Sequence, residues 1–152
     1  QMGLSRMLPR TDMIIVTTPA VSAQKVAIRA ADMARRSYLR IAGVIENMST
    51  FTCEHGTSYP LFGSGGGQNL ATEIGSELLG QIPIENAVSH GSDNGEPVAI
   101  AGAGLAAEVF RDIAKKIISQ TVPGTEMAGC SARMLESVAL ALGEKPTTKV
   151  IK

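Results

Sequence analysis

Tryptophan is absent, and aromatic residues make up only 3% of the 152 residues. A core drawn from this chain must rest on Ile, Val, Leu, Met and Ala. Neither sign of charge is in excess: 14 Lys and Arg stand against 14 Asp and Glu. That balance gives no electrostatic reason to expect nucleic acid or an acidic membrane surface as a partner. No apolar run is long enough to span a bilayer, and no signal peptide opens the sequence, so a cytoplasmic domain is expected. The two cysteines, Cys53 and Cys130, lie far apart and make no disulfide framework. The phosphate-loop pattern G-x-x-x-x-G-K-[ST] occurs nowhere in the chain. The first residue is Gln1, and the helix-like stretch 2–8 has no cap, which reads as a truncated start. The length suits one domain.

What is present reads as alternating strands and helices. Met13-Ile14-Ile15-Val16-Thr17-Thr18 is a continuous apolar run of the kind buried on both faces of a parallel sheet, and Pro19 stops its ladder. Residues 22–36 predict a helix with Ser22 as N-cap and an apolar face through Ala23, Val26, Ala27, Ala30, Met33 and Ala34. A strand over Ile41–Ile45 follows. Strand, helix and strand make a βαβ unit with a right-handed crossover. The segment 48–66 is long for a loop inside a compact domain, and Tyr59-Pro60-Leu61-Phe62 can turn part of it into a hairpin. A helix near 67–75 precedes a short strand, Leu78–Pro83, ended by its proline. Residues 85–97 read as turns. A helix near 104–119 aligns Leu105, Val109, Ile113, Ile117 and Ile118. After Pro123-Gly124 the character changes: 131–142 predict an amphipathic helix, and 143–152 a polar tail. The expected organisation is one αβ unit over 1–120 and an extension over 121–152.

Five sets of residues invite a chemical reading. Asn47 follows an apolar strand, at the edge where open α/β sheets bind ligands. Its amide offers both a donor and an acceptor, suited to the edge of a base, though a turn-capping Asn fits the same position. Ile82-Pro83-Ile84-Glu85 ends the next strand at the same edge; Pro83 can wall a flat ring or simply end a strand. Cys53 and His55 are donors two residues apart for a soft or borderline metal, or else exposed loop residues. Gly63-Ser64-Gly65-Gly66-Gly67 is no phosphate loop, because Gln68-Asn69 follow where a Lys and a Ser or Thr are needed. It reads as a turn into a helix that lets backbones approach closely. Asp93-Asn94-Gly95-Glu96-Pro97 is a turn whose carboxylate can cap local N–H groups. Cys130, in a Gly/Ala/Ser context, is assigned no role.

The order of Val44-Ile45-Glu46-Asn47-Met48-Ser49, Phe51-Thr52-Cys53, Phe62–Gly67, Leu79–Pro83 and Asp93–Pro97 resembles the Mrp/ApbC branch of the MinD-like P-loop ATPases. The resemblance covers about residues 1–120. It implies a three-layer αβα fold with a parallel sheet, and the carboxyl-terminal part of a homodimeric, ATP-binding carrier of iron–sulfur clusters to apoproteins. It implies that Asn47 faces the nucleotide base, that Ile82-Pro83 lines the base, and that Glu85 occupies a commonly acidic position. Thr17-Thr18-Pro19 falls beside the nucleotide pocket. Magnesium and the phosphates would belong to the parent ATPase, and the chain by itself is expected to be inactive. The family usually shows Cys-x-x-Cys where this chain reads Cys53-Glu54-His55-Gly56, with one cluster shared between two subunits. Cys53 and His55 are therefore the expected cluster ligands, with the second cysteine missing. An Arg common before the Asp93–Pro97 turn is replaced by the Ser89-His90 region. Two other readings stand beside the carrier: a MinD-like ATPase that positions or regulates partners without a cluster, and a non-enzymatic interaction scaffold.

Overall fold

The computed structural model describes residues 11–121. In chain order these form β1 (Asp12–Thr17), α1 (Val21–Arg36), β2 (Arg40–Thr52), β3 (Ser58–Tyr59), α2 (Gly66–Glu73), β4 (Leu78–Ile84), α3 (Asn86–Asp93), α4 (Val98–Ala101) and α5 (Leu105–Thr121). The helix and tail expected over 131–152 lie outside the described residues, as does Cys130.

β2 is central: it pairs in parallel with β1 on one side and with β4 on the other. Asp12 and Arg40 face each other where the β1–β2 ladder opens, and the Arg40 guanidinium bonds the Asp12 carboxylate. That cation holds the Asp12 carboxyl below the usual carboxylate range.

The strands are apolar on both faces, and successive residues point to opposite sides. Ile15 and Val44 are buried against Ala27 and Ala31 of α1 and Leu70 of α2, with Leu78 packed alongside. Their chain neighbours Ile14, Ile45 and Leu79 belong to a second cluster on the other face, with Ala106 and Ile113 of α5. Helices on both sides of a mainly parallel sheet give the three layers that the sequence predicts. Two glycines make the strands narrow enough for this packing. A Cβ on Gly43 would lie 2.4 Å from the Leu79 side chain, and one on Gly80 would lie 2.6 Å from Ile113.

Several expectations need correction. α1 begins one residue early, with Ala20 in the cap position and no side-chain cap bond, so Ser22 is not the N-cap. The backbone closes this turn instead, as Ala23 N–H and Gln24 N–H donate to Ala20 O at 3.0 and 3.1 Å. The buried stripe of α1 runs through Ala27, Ala31 and Ala34, and Val26 is 65% exposed. On α5, Leu105 and Ile118 are exposed, because the stripe follows Ala106, Ile113 and Ile117 instead.

β2 does not stop at Ile45 but continues to Thr52, where it exchanges parallel partners for the antiparallel β3. The hairpin pairs Phe51 with Tyr59 and Thr52 with Ser58, so it turns through Cys53–Thr57 rather than at Tyr59–Phe62. β4 passes through Pro83 to Ile84. The turn-rich 85–97 segment contains α3, closed at its end by Gly95 at φ +73° and by Glu96 N–H donating to Gly91 O at 2.8 Å. The left-handed closure is what glycine permits at a helix end.

Candidate functional site

β1 pairs with β2 as far as Thr17 opposite Glu46. Asn47 is the next residue, so it stands just past the carboxyl end of β1. That is the edge where parallel sheets present ligand-binding groups. It is not at the end of its own strand. β2 kinks there: Asn47 pairs with Ile82, the register then shifts, and Phe51 pairs with Ile84. The kink puts Met48 in the left-handed region at φ +58°, and Met48 N–H donates to Asn47 Oδ1 at 2.9 Å. The Asn47 side chain is exposed, and its Nδ2 has two N–H donors available for a ligand.

Asn47 lines an open groove of about 470 Å³ together with Val16, Thr17 and Thr18 of the β1 end and Val26 and Ala27 of α1. The structure thus brings Asn47 and Thr17-Thr18 together, as expected. Thr17 itself is buried, and its hydroxyl donates to Thr18 O at 3.1 Å. Pro83 is buried in β4 and is not among the groove's lining residues. Glu85 is half-buried, and its Oε1 accepts Ala106 N–H at 3.0 Å, in the first turn of α5.

Cys53 stands at the tip of the β2–β3 hairpin. Its N–H donates to Thr57 O at 3.0 Å, and Gly56 N–H donates back to Cys53 O at 2.9 Å. Gly56 takes φ +79° in this turn. The tight turn aims backbone N–H groups at the sulfur. Thr57 N–H, then His55 N–H, pull the Cys53 thiol below its ordinary value, because both favour the thiolate. His55 is exposed on the same turn. Among the described residues no group of three or more His, Cys, Asp or Glu is placed to hold a metal ion.

The glycine-rich segment does what close backbone approach predicts. Gly65, at φ +74°, occupies the cap position of α2. A Cβ on Gly66 would lie 2.4 Å from Pro19 O, and one on Gly67 would lie 2.6 Å from Glu46 Cβ. Glu46 is the residue that sequence reasoning missed. It is 1% exposed; its Oε2 accepts Gly67 N–H, and its Oε1 accepts Gln81 Nε2–H at 2.7 Å. A signal for it existed: Glu46 falls two residues after Val44, on the same buried face of β2, where a carboxylate needs a dedicated partner.

A family model for NUBPL iron-transfer P-loop NTPases of the ParA group matches residues 1–118. The chain is similar to the iron-sulfur cluster carrier protein of Mycobacterium tuberculosis (strain ATCC 25618 / H37Rv), at 33% identity over 97% of this chain and 37% of that protein. It is 38% identical to the iron-sulfur cluster carrier protein of Pyrococcus abyssi, over 70% of this chain and 37% of that one. The iron-sulfur cluster transfer protein NUBPL of Dictyostelium discoideum is 35% identical over 74% of this chain and 36% of its own length. The chain spans little over a third of the length of these curated relatives. The crystal structure of the Pyrococcus furiosus cell division ATPase MinD has the same fold, with a TM-score of 0.60 at 20% identity, over 76% of this chain and 46% of that one. With the fold, the order of motifs and the matched span in agreement, the chain belongs to the NUBPL iron-transfer family of P-loop NTPases.

Proposed function

We propose that this chain serves an ATP-dependent iron–sulfur cluster carrier that works as a cytoplasmic homodimer and passes its cargo to apoproteins. The observation that carries this reading is Cys53, held at a hairpin tip with its thiolate favoured by the N–H groups of Thr57 and His55. Iron–sulfur clusters are commonly held by four protein ligands. The hairpin of one copy offers one thiolate and one imidazole, so the hairpins of two copies would supply two of each. The cluster is cargo, and a site with only two thiolates should release it more readily than a four-cysteine site. Neutral His55 is the form that binds metal, so acid should promote release.

Asn47 is proposed to read the base of ATP at the strand edge. Pro83 and Glu85 would support that edge, Pro83 from within β4 and Glu85 by holding the start of α5. No phosphate-loop motif is present in the 152 residues, so the phosphates and magnesium must be held by other residues of the working ATPase. No helix among the described residues is long and apolar enough to cross a membrane.

The test is anaerobic reconstitution of wild type, Cys53→Ser and His55→Ala with iron and sulfide, followed by metal counts and visible absorbance. Loss of the cluster in Cys53→Ser is expected, with partial loss in His55→Ala. Equal content in wild type and Cys53→Ser sinks the ligand role. A second reading is a regulatory MinD-like ATPase without a cluster. It is favoured by Gly56, which stands where the resembling family places a second cysteine. A wild type that binds no iron selects it. A phosphate-release assay on the same chain should show no ATP turnover above a heat-killed control.

A further inference from the structure

The hairpin that carries Cys53 leaves β2 after Thr52, and the chain comes back over the sheet at Gly66-Gly67. Its neck is closed by Glu46. This carboxylate is 1% exposed and is the only buried charged side chain among the described residues. It takes the Gly67 N–H with one oxygen and the Gln81 amide, at 2.7 Å, with the other. The returning backbone lies directly on it: a Cβ on Gly67 would come within 2.6 Å of Glu46 Cβ. The neighbouring Gly66 is pressed just as closely on Pro19 O, which also accepts Gln24 Nε2–H at 3.0 Å. The neck is therefore pinned to β2, to β4 and to the loop after β1.

A leucine at position 46 would fill the same space without the cost of burying a carboxylate. What a leucine cannot do is fix two amides at set points and directions. We propose that Glu46 is the positioning residue of the cysteine hairpin. By clasping Gly67 it fixes where the loop of Cys53 returns to the sheet. The use made of that position, presentation of a thiolate to a cluster, rests on the function proposed above; the clasp does not.

The experiment uses the full 152-residue chain in a Cys130→Ser background. It reads amide hydrogen exchange and the alkylation rate of Cys53 with iodoacetamide. Wild type is informative by itself. Gly67 is the second residue of α2, where amides have no intrahelical acceptor, yet it should exchange as slowly as the β2 ladder. Fast exchange there overturns the clasp without any variant. In Glu46→Leu the space stays filled, but Gly67 N–H loses its acceptor. Exchange over 50–67 should rise about tenfold, the equivalent of one hydrogen bond, and Cys53 alkylation should change with it. Exchange in β1 and α5 should hold. Glu46→Gln keeps an oxygen for Gly67 N–H, and its amide can donate to the Gln81 oxygen once that side chain turns over, so both readouts should stay near wild type. Gln81→Met alone leaves the Gly67 bond intact and should move neither.

Equal loosening in β1 and α5, a Glu46→Gln effect as large as that of Glu46→Leu, or a Gln81→Met effect of that size would each overturn the proposal. Iron and sulfide uptake is counted on the same samples. If exchange behaves as expected while wild type binds no iron, the clasp stands and the cluster reading falls.

Discussion

Glu46 in β2 and Glu85 just past β4 belong to neighbouring parallel strands, and each accepts the N–H of the second residue of a helix, Gly67 in α2 and Ala106 in α5. Each also faces a glycine that leaves no room for a Cβ: 2.6 Å from Glu46 Cβ at Gly67, and 2.9 Å from Glu85 Oε2 at Gly104. A carboxylate suits a helix start, where free N–H groups and the positive end of the dipole meet it. The two differ in depth. Glu46 is buried and engages two donors; Glu85 is half-buried and receives Ala106. The shallow one caps a helix. The deep one also fixes where a long loop returns to the sheet, so its loss should be felt beyond the helix it starts.

The largest expected effect is Glu46→Ala, which leaves Gly67 N–H and the Gln81 amide without their acceptor and opens a cavity. A loss of about 3 kcal/mol is expected in denaturant unfolding, against about 1 kcal/mol for Glu85→Ala. Equal losses would break the comparison. Gly67→Ala comes next. Its new methyl meets Glu46 Cβ, close to backbone, and overpacking of this kind costs about 2 kcal/mol. At Gly104 the obstacle is the far end of a side chain that can move, so the cost there should come from its φ of +113°, about 1 kcal/mol or somewhat more.

A third expectation concerns pH. The thiolate of Cys53 is favoured in the folded hairpin, so its alkylation rate should persist at a lower pH than that of a free cysteine peptide. Loosening the neck with Glu46→Leu should move this profile toward the free thiol, and Glu85→Ala should leave it in place. A profile shifted equally by both variants would mean that the hairpin answers to global stability rather than to its neck. The smallest effect serves as a control at a helix end rather than a helix start. Tyr38 follows α1 in the left-handed region at φ +56° and is 98% exposed. Tyr38→Gly should therefore stabilise by about 0.5 kcal/mol, read as a small rise in the unfolding midpoint with Cys53 reactivity unchanged.

The layered sheet was legible because its signals are local. The pairs Ile14-Ile15, Val44-Ile45 and Leu78-Leu79 declare strands buried on both faces, and the helices carry an apolar period. The order of motifs from Val44 to Pro97 was enough to place the family. What could not be read depended on partners distant in sequence. Ser49–Thr52 looked like loop because its pairing is completed by β3 and β4. α3 was hidden by Gly91, Asp93 and Gly95, which are turn residues until Glu96 N–H closes the helix on Gly91 O. Asn47 and Cys53 were visible as candidates, and the structure sets Asn47 in a groove with Thr17-Thr18. Glu46 was passed over because one acid within Val44–Asn47 declares nothing until Gly67, 21 residues later, is seen to lie on it.

Glu46 and Asn47 are consecutive, yet the pleat sends one side chain into the α2 side of the sheet and leaves the other exposed. Sequence variation should respect that division. A library randomised at position 47 tests the proposed base-reading role and the Met48 turn together, whereas one randomised at position 46 should retain residues that fill its space and accept the Gly67 N–H. Under the role proposed for Asn47, recognition could change by single substitutions, since the residue that would read and the residue that holds are neighbours on the chain with the thickness of the sheet between them.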